Sequence, residues 1–200
     1  MIGLSHQHAS GVGDHDGMYD WWEVRPEGER PRWTVDPWVG VGPLRFGMSP
    51  DEVVDALTGV TVEEPSCVMT YRVKGAPPSA SRCAFRDLGL RVFYDREARL
   101  EGLTVDALRG PLVFAEGVGL TGRVPSEVER WLVERHATRF TDDEDELGYL
   151  GAGIPGSWSL GLVVNVQRLG DRLVTRPVVF AEHVLDDAHH ILPREAWEIY

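Results

Sequence analysis

The sequence has no long apolar segment and no recognisable export signal. A transmembrane helix needs about 18 or more consecutive apolar residues, and the 200 residues contain no such run. The N-terminal stretch MIGLSHQHASGVGDHDG lacks both the basic region and the apolar core of a secretory signal. The sequence therefore predicts a protein without a membrane span, and we expect a cytoplasmic location.

Lysine is almost missing, because Lys74 is the only one and arginine carries the rest of the positive charge. The formal net charge is −12, and a field of this sign repels the phosphate backbone of a nucleic acid. The same field attracts and steers a basic protein. We therefore expect no nucleic-acid partner and a basic protein partner, the alternative being that the acidity only keeps the chain soluble.

Cysteine is scarce as well, with Cys67 and Cys83 as the two examples. In a reducing cytoplasm such a pair is expected to remain as free thiols. A metal site would need more ligands at closer spacing. The residues by themselves therefore predict neither a disulfide nor a cysteine-bound metal.

Several motifs of common enzyme classes are also missing. The chain has no G-x-S-x-G elbow, no Walker loop and no H-E-x-x-H helix. The glycine-rich stretches GVGLTG and GAGIPGS are interpreted as turns, since neither leads into a lysine and a phosphate-binding helix. A pair of Cys67 or Cys83 with His136 is the nearest approach to a nucleophile and its base, but strand cysteines usually pack as small apolar side chains. We predict a protein that is not an enzyme and has no cofactor.

The length and the 42% of hydrophobic residues fit one domain, or two small halves that share a core. Residues 1–17 are rich in Gly, His, Asp and Ser, and we predict a disordered tail. Residues 18–38 hold four tryptophans interrupted by prolines, which predicts an extended arm. We expect this arm to lie across the core, and contact with a partner is the alternative.

The stretch GPLRFGMSPDEVVDAL has the form of a strand, a glycine turn and a capped helix. Residues 41–46 fit a strand, and Ser49, Pro50 and Glu52 fit a capping box with proline at the first helical position. Apolar side chains at residues 53, 56 and 57 would form one helix face. Strands are then predicted at residues 67–73, at 82–85 continuing into 88–94, and at 100–105, with a loop at 74–81.

About seventy residues later the same order returns. A strand and turn are predicted at residues 110–122, a helix at 125–136 and a hairpin at 159–182. Five positions of the first unit match the second at one constant offset: Gly47, Pro50, Glu52, Val53 and Leu57 with Gly122, Pro125, Glu127, Val128 and Leu132. The sequence therefore predicts an α+β fold of two tandem helix-plus-antiparallel-strand repeats, residues 39–110 and 111–182. We expect one curved sheet with the helices on one face, followed by a C-terminal segment, residues 183–200, with a terminal helix.

The phrase RFGMSPDEVVDAL and the strands after it resemble the repeat of the β-lactamase inhibitory protein and of the outer-membrane assembly lipoproteins of the small BamE type. Both families use a phrase close to GM-[ST]-x-x-[EQ]-V at the helix start, which Gly47, Met48, Ser49, Glu52 and Val53 match. In the inhibitor each repeat carries one cysteine just after the helix and one in the next strand. Cys67 and Cys83 stand in such places, which implies a pairing, whereas the second unit has no cysteines.

Residues 39–182 as a whole look like a group of bacterial two-repeat proteins with GxGPLRFGM openings and LGLRVFYD hairpins. Some relatives of this build are thought to act as immunity or inhibitor proteins. The resemblance implies a curved antiparallel sheet whose exposed face recognises another protein.

The run TDDEDELGY is the most acidic part of the chain. It lacks the Asp-x-Asp-x-Asp-Gly spacing of a calcium loop, and such runs are usually solvated loops. The alternative is a surface that imitates a phosphate backbone and blocks a basic active site. On that hypothesis the partner-binding residues are Asp142, Asp143, Glu144, Asp145, Glu146, Tyr149 and Trp158.

The segment EHVLDDAHH gathers His183, Asp186, Asp187, His189 and His190. At i, i+4 spacing these side chains could meet a metal, but mixed polar loops produce such clusters by chance, and we predict no metal. The function predicted from the sequence is a non-catalytic protein-binding module, an immunity or inhibitor protein that grips a basic partner. The alternative is a small-ligand or metal-binding protein, and an enzyme of another type ranks last.

Overall fold

The computed structural model describes residues 23–70, 79–141, 146–150 and 153–198. These residues form three α-helices, α1 (Pro50–Ala56), α2 (Pro125–Arg139) and α3 (Ala188–Ile191). They also form thirteen strands, which in chain order are β1 (Arg32–Asp36), β2 (Gly40–Val41), β3 (Leu44–Arg45), β4 (Ser66–Thr70), β5 (Ser79–Phe85), β6 (Leu90–Tyr94), β7 (Leu100–Val105), β8 (Leu112–Ala115), β9 (Val118–Gly119), β10 (Leu147–Leu150), β11 (Ile154–Ser157), β12 (Leu162–Leu169) and β13 (Arg172–Phe180). The predicted α+β class is confirmed.

The strands lie in two sheets. One sheet has five strands in the order β3-β2-β1-β8-β9, and the other has eight in the order β10-β11-β12-β13-β7-β6-β5-β4. The described strand pairs are antiparallel apart from β1, which runs parallel to β8. The prediction of a single curved sheet is therefore not confirmed.

The predicted capping box at the start of α1 is present. The backbone N–H of Ser49 donates to Glu52 Oε2 over 2.7 Å, and the backbone N–H of Glu52 donates to Ser49 Oγ over 3.3 Å. Val53 and Leu57 are fully buried on the inner side of this helix. The helix is short, so its stability depends on packing against the sheet.

Helix α2 begins at Pro125, as predicted, and ends three residues later than predicted. Val124 precedes it without a side-chain cap, in keeping with the loss of the serine found before α1. Val128, Leu132 and Arg135 form its buried side. Among the described residues, no helix has both the length and the apolar character needed to cross a membrane.

The described part of the arm, residues 23–38, is bound to the body of the domain. Trp33 on β1 is buried in the core. The guanidinium of buried Arg30 donates to the carbonyl oxygens of Gly110 at 2.5 Å and Ala107 at 3.1 Å. Residues 1–17 and the first part of the arm lie outside the described residues.

The core has two layers, one on each face of the eight-stranded sheet. Side chains of α1, α2 and β1 pack on one face, against residues such as Val92, Leu103 and Val179. The C-terminal segment packs on the other face, where Val184 and Leu192 meet a second apolar set. In place of one terminal helix this segment has a 3₁₀ turn at Glu182–Asp187, then α3, then a second 3₁₀ turn at Arg194–Ala196.

Cys67 and Cys83 form a disulfide, so the prediction of free thiols is wrong. The two residues stand directly opposite each other on β4 and β5. Facing side chains on neighbouring antiparallel strands lie within bonding reach, and this register could not be seen from the spacing along the chain.

Candidate functional site: an arginine-lined cavity on the large sheet

A cavity of about 650 Å³ opens beside the centre of the eight-stranded sheet. There, β7 and β13 pair through only three residue pairs, from Phe180↔Gly102 to Val178↔Thr104. Strand β7 then ends, while β13 remains paired with β12 as far as Leu169↔Arg172. The cavity is lined by residues of β5, β6, β7, β12 and β13 and by the loop at residues 106–110. Its volume lies within the range of about 300–1,000 Å³ that is typical of ligand sites.

Among the described residues, five arginines and one carboxylate, that of Asp106, line this cavity, which we call the arginine cavity. The arginines are Arg86, Arg91, Arg109, Arg168 and Arg176. The apolar residues Phe85, Leu90 and Leu108 also line it. In a chain with a formal net charge of −12, this local excess of positive charge has the opposite sign to the whole molecule. The arginine cavity therefore favours a ligand that combines negative charge with an apolar part.

Arg176 is the most deeply buried of these arginines, with 2% of its surface exposed. Its guanidinium donates to Thr104 Oγ1 over 3.2 Å and to the carbonyl oxygen of Ala196 over 3.0 Å. Burial lowers the pKa of Arg176 to about 10, and the nearby charge of Arg91 acts in the same direction, opposed by Asp106 and Glu198.

The loop that carries Arg109 is held in place by hydrogen bonds. Gln167 is buried, and its amide donates to Asp106 Oδ2 over 3.0 Å and accepts from the backbone N–H of Ala107 over 2.8 Å. Asp106 Oδ1 accepts from the backbone N–H groups of Leu108 at 2.8 Å and Arg109 at 2.9 Å. This rim of the cavity is thus preorganised by the chain itself.

Two glycines join this loop to the turn between β5 and β6. A Cβ atom on Gly89 would stand 2.7 Å from the backbone nitrogen of Gly110, and a Cβ on Gly110 would stand 2.6 Å from the carbonyl oxygen of Gly89. Gly89 also has a φ of +59°, in the left-handed region that favours glycine. The close approach of the two backbones brings Arg86 and Arg109 to the same cavity.

The acidic segment predicted as a partner-binding surface has a different environment. Residues 142–145 lie outside the described residues. Glu146 is buried, with 6% of its surface exposed. Its Oε1 accepts from Arg135 Nη1 over 2.6 Å and from the hydroxyl groups of Ser157 and Ser159. Glu146 is therefore an internal partner of Arg135 and not a surface residue, which corrects its predicted place.

Tyr149 and Trp158 differ from each other in exposure. Tyr149 is 51% exposed, and its hydroxyl donates to Glu129 Oε1 over 3.1 Å. This hydrogen bond raises the pKa of Tyr149. Trp158 is partly buried, and its ring fills the space beside Gly148 and Gly156. Of these two predicted contact residues, Tyr149 alone presents a large exposed surface.

The other predicted candidates do not assemble a chemical site. His183 Nε2 lies 3.6 Å from Glu101 Oε2, and His190 Nδ1 lies 2.5 Å from Asp187 Oδ1. Within the described ranges, no group of three or more His, Cys, Asp or Glu side chains is placed to hold a metal. A thiol–imidazole pair of Cys67 or Cys83 with His136 does not form, because both cysteines are bonded to each other in the disulfide. The ring of His136 stacks on Phe140.

The chain matches no protein-family description, no curated protein and no solved structure in the comparisons made with each. The resemblance to the β-lactamase inhibitory protein and BamE-type repeats accordingly stays a prediction. The function has to be inferred from the arginine cavity and from the physical chemistry of its lining.

Proposed function

We propose that the chain is a non-catalytic binding protein that holds an anionic group of its ligand in the arginine cavity. The observation that carries this proposal is the convergence of five arginines, Arg91 among them, on the described wall of one cavity. A guanidinium presents a planar set of donors that matches a carboxylate or phosphate in a bidentate manner. Partial burial strengthens such a contact, because the surrounding medium screens it less than water does.

The lining supports binding better than catalysis. A catalytic site needs a nucleophile, or an acid and a base, within reach of a substrate. Among the described lining residues, Asp106 is the one carboxylate, and its oxygens accept three hydrogen bonds from the surrounding loop and Gln167. The remaining polar groups, arginines, an amide and a hydroxyl, are the types that orient a bound anion.

The ligand proposed here is acidic, whereas the partner predicted from the sequence is basic. The sequence favoured a basic protein held by the acidic segment, whereas the arginine cavity favours an acidic group. The two contacts can coexist, because the acidic residues other than Asp106 lie outside the described cavity lining. An immunity or inhibitor role, a basic partner near Tyr149 and a cytoplasmic location stay predictions.

We also propose that the eight-stranded sheet was built from two copies of one unit. Helix α1 is followed by β4 to β7 and helix α2 by β10 to β13, each as a series of four strands adjacent in the sheet. The last strands of the two series, β7 and β13, lie side by side at the centre. This order supports the predicted repeats. The proposed duplication is wrong if residues 39–110 do not superpose on residues 111–182.

The test of the binding proposal is a calorimetric and melting-temperature screen with defined anions. We expect at least one of succinate, benzoate, inorganic phosphate and an acetylated glutamate-rich peptide to stabilise the folded chain, since a ligand that binds only the native state raises its stability. Arg91→Gln should weaken that ligand about tenfold, because a charge-assisted hydrogen bond is lost. The matched control is Arg130→Gln, the same charge change at an exposed position of α2, which should leave binding unchanged.

Two results would contradict the proposal. In one, none of the anions stabilises the folded chain. In the other, Arg91→Gln and Arg130→Gln bind the active anion equally well, which would place binding outside the arginine cavity.

A further inference from the structure

We infer that the group held in the arginine cavity belongs to an acidic peptide segment of a partner protein, in which carboxylates stand next to a large apolar side chain. This inference rests on the proposed function and names the ligand class for the same site. Arginines of the large sheet already bind a stretch of polypeptide, the chain's own C-terminal segment.

The chain's own C-terminal segment shows which groups these arginines bind. The guanidinium of Arg176 donates to the carbonyl oxygens of Glu195, Ala196 and Glu198 over 3.2, 3.0 and 3.1 Å. Arg82 Nη2 lies 2.8 Å from Glu195 Oε1. Carboxylate and backbone carbonyl oxygens of one short segment are thus bound together by arginines of the large sheet.

An apolar contact accompanies these polar contacts. Ala196 is fully buried, and Trp197 packs against the apolar layer beneath the segment. In the bound sequence the apolar pair Ala196 and Trp197 meets the sheet, and it is flanked by Glu195 and Glu198, whose oxygens are bound by arginines. Such a combination is the usual basis of peptide recognition by a sheet surface that carries both charge and pockets.

The arginine cavity continues this surface. Arg91 and Ala84 line it, and they also line a smaller neighbouring cavity of about 280 Å³ together with Glu195 and Glu198. Arg176 lines the arginine cavity while it binds the C-terminal segment. A peptide in the arginine cavity would lie beside the C-terminal segment and use the same kinds of donor.

The size and lining of the cavity favour a peptide over a small free anion. A volume of about 650 Å³ leaves much of the space unfilled when a phosphate or a short dicarboxylate binds. Phe85, Leu90 and Leu108 line part of it, and apolar lining is satisfied by apolar surface of the ligand. Arginine charge and apolar lining together match an acidic segment with an aromatic or aliphatic side chain.

The test compares synthetic peptides and small anions by isothermal titration calorimetry with the full chain. The probe is acetyl-Glu-Ala-Trp-Glu-amide, and its matched controls are the Gln-Ala-Trp-Gln and Glu-Ala-Ala-Glu peptides, with succinate and inorganic phosphate as free anions. We expect the probe to bind about tenfold or more tighter than each of these, because each control lacks the charge-assisted contacts or the apolar anchor. Arg109→Gln should weaken the probe about tenfold while Arg130→Gln should not.

The outcomes separate the inference from the proposed function. Succinate or phosphate binding as tightly as the probe, with loss on Arg109→Gln, would overturn the peptide inference and leave the anion site standing. Equal binding of the Gln-Ala-Trp-Gln peptide would overturn the peptide inference, because charge would then be irrelevant to peptide binding, and it would overturn the proposed function as well if succinate and phosphate also failed to bind. Equal effects of Arg109→Gln and Arg130→Gln on the probe would also overturn the inference, since the peptide would bind elsewhere.

Discussion

The burial of Glu146 could not be predicted from its neighbours in the chain. Its place at the end of the acidic run TDDEDELGY suggested a solvated surface or a partner contact. In the structure it is buried against Arg135, which in turn binds Glu116 over 3.0 Å. The direction of a side chain at the border between loop and strand depends on the packing of α2, and composition does not contain that information.

We predict that Glu146→Ala destabilises the fold by about 1.5–3 kcal/mol, because buried Arg135 loses one of its two carboxylate partners while Glu116 remains. The measurement is the free energy of unfolding in urea. Glu134→Ala, a substitution at an exposed position of α2, is the control and should change stability by at most about 0.5 kcal/mol. Equal stability of the two variants would mean that the buried ion pair contributes nothing.

Arg91 and Arg176 were overlooked in the sequence, although a signal exists. Each stands inside an otherwise apolar strand, in LRVFY and in LVTRPVVF. Alternation along a strand places such residues on the face away from α1 and α2, where an arginine is normally expected in solvent. The pairing of β13 with β7 joins parts of the chain that are more than seventy residues apart, and no local pattern predicts that the two arginines meet there.

Helices and strands were predicted correctly where the local sequence pattern is strong. The start of α1 was predicted because the capping box is a short-range code in the sequence, and β7 was predicted at its observed bounds. Strands β10 and β11 were not predicted, because LGYL and IPGS are short and lack clear alternation. The parallel pairing of β1 with β8 depends on the fold of the whole chain, so the second sheet was missed.

The disulfide between β4 and β5 gives a prediction about these two strands. The cysteines are 16 residues apart, and closing a loop of this size stabilises a chain by about 3 kcal/mol in the entropy description. We expect a reducing agent to lower the free energy of unfolding by about 2–3 kcal/mol, measured by urea titration. The double variant Cys67→Ala with Cys83→Ala is the control and should not respond to the reducing agent.

If reduction leaves the free energy of unfolding of the native sequence unchanged, the disulfide does not stabilise the fold.

Disulfides persist mainly in oxidising compartments. The bridge therefore argues against the predicted cytoplasmic location, which stays a prediction.

For the whole molecule, the main feature is a local charge that opposes the net charge. The chain carries a formal charge of −12, yet the cavity beside the centre of its large sheet is lined by five arginines. The order of the predicted helices and strands correctly indicated the α+β class, and composition indicated a chain that can bury a core, because core formation depends on averages over the chain. Composition does not predict the charge of a single cavity, because that charge depends on which few residues the topology brings together.

The most direct measurement of the central claim is a nuclear magnetic resonance titration of the isotope-labelled chain with acetyl-Glu-Ala-Trp-Glu-amide. We expect the largest shifts of backbone and arginine side-chain signals to map to Arg91, Thr104, Gln167 and residues 106–110. This expectation is contradicted if the signals of these residues stay in place while others shift, for example those around Tyr149, or if no signal shifts at all.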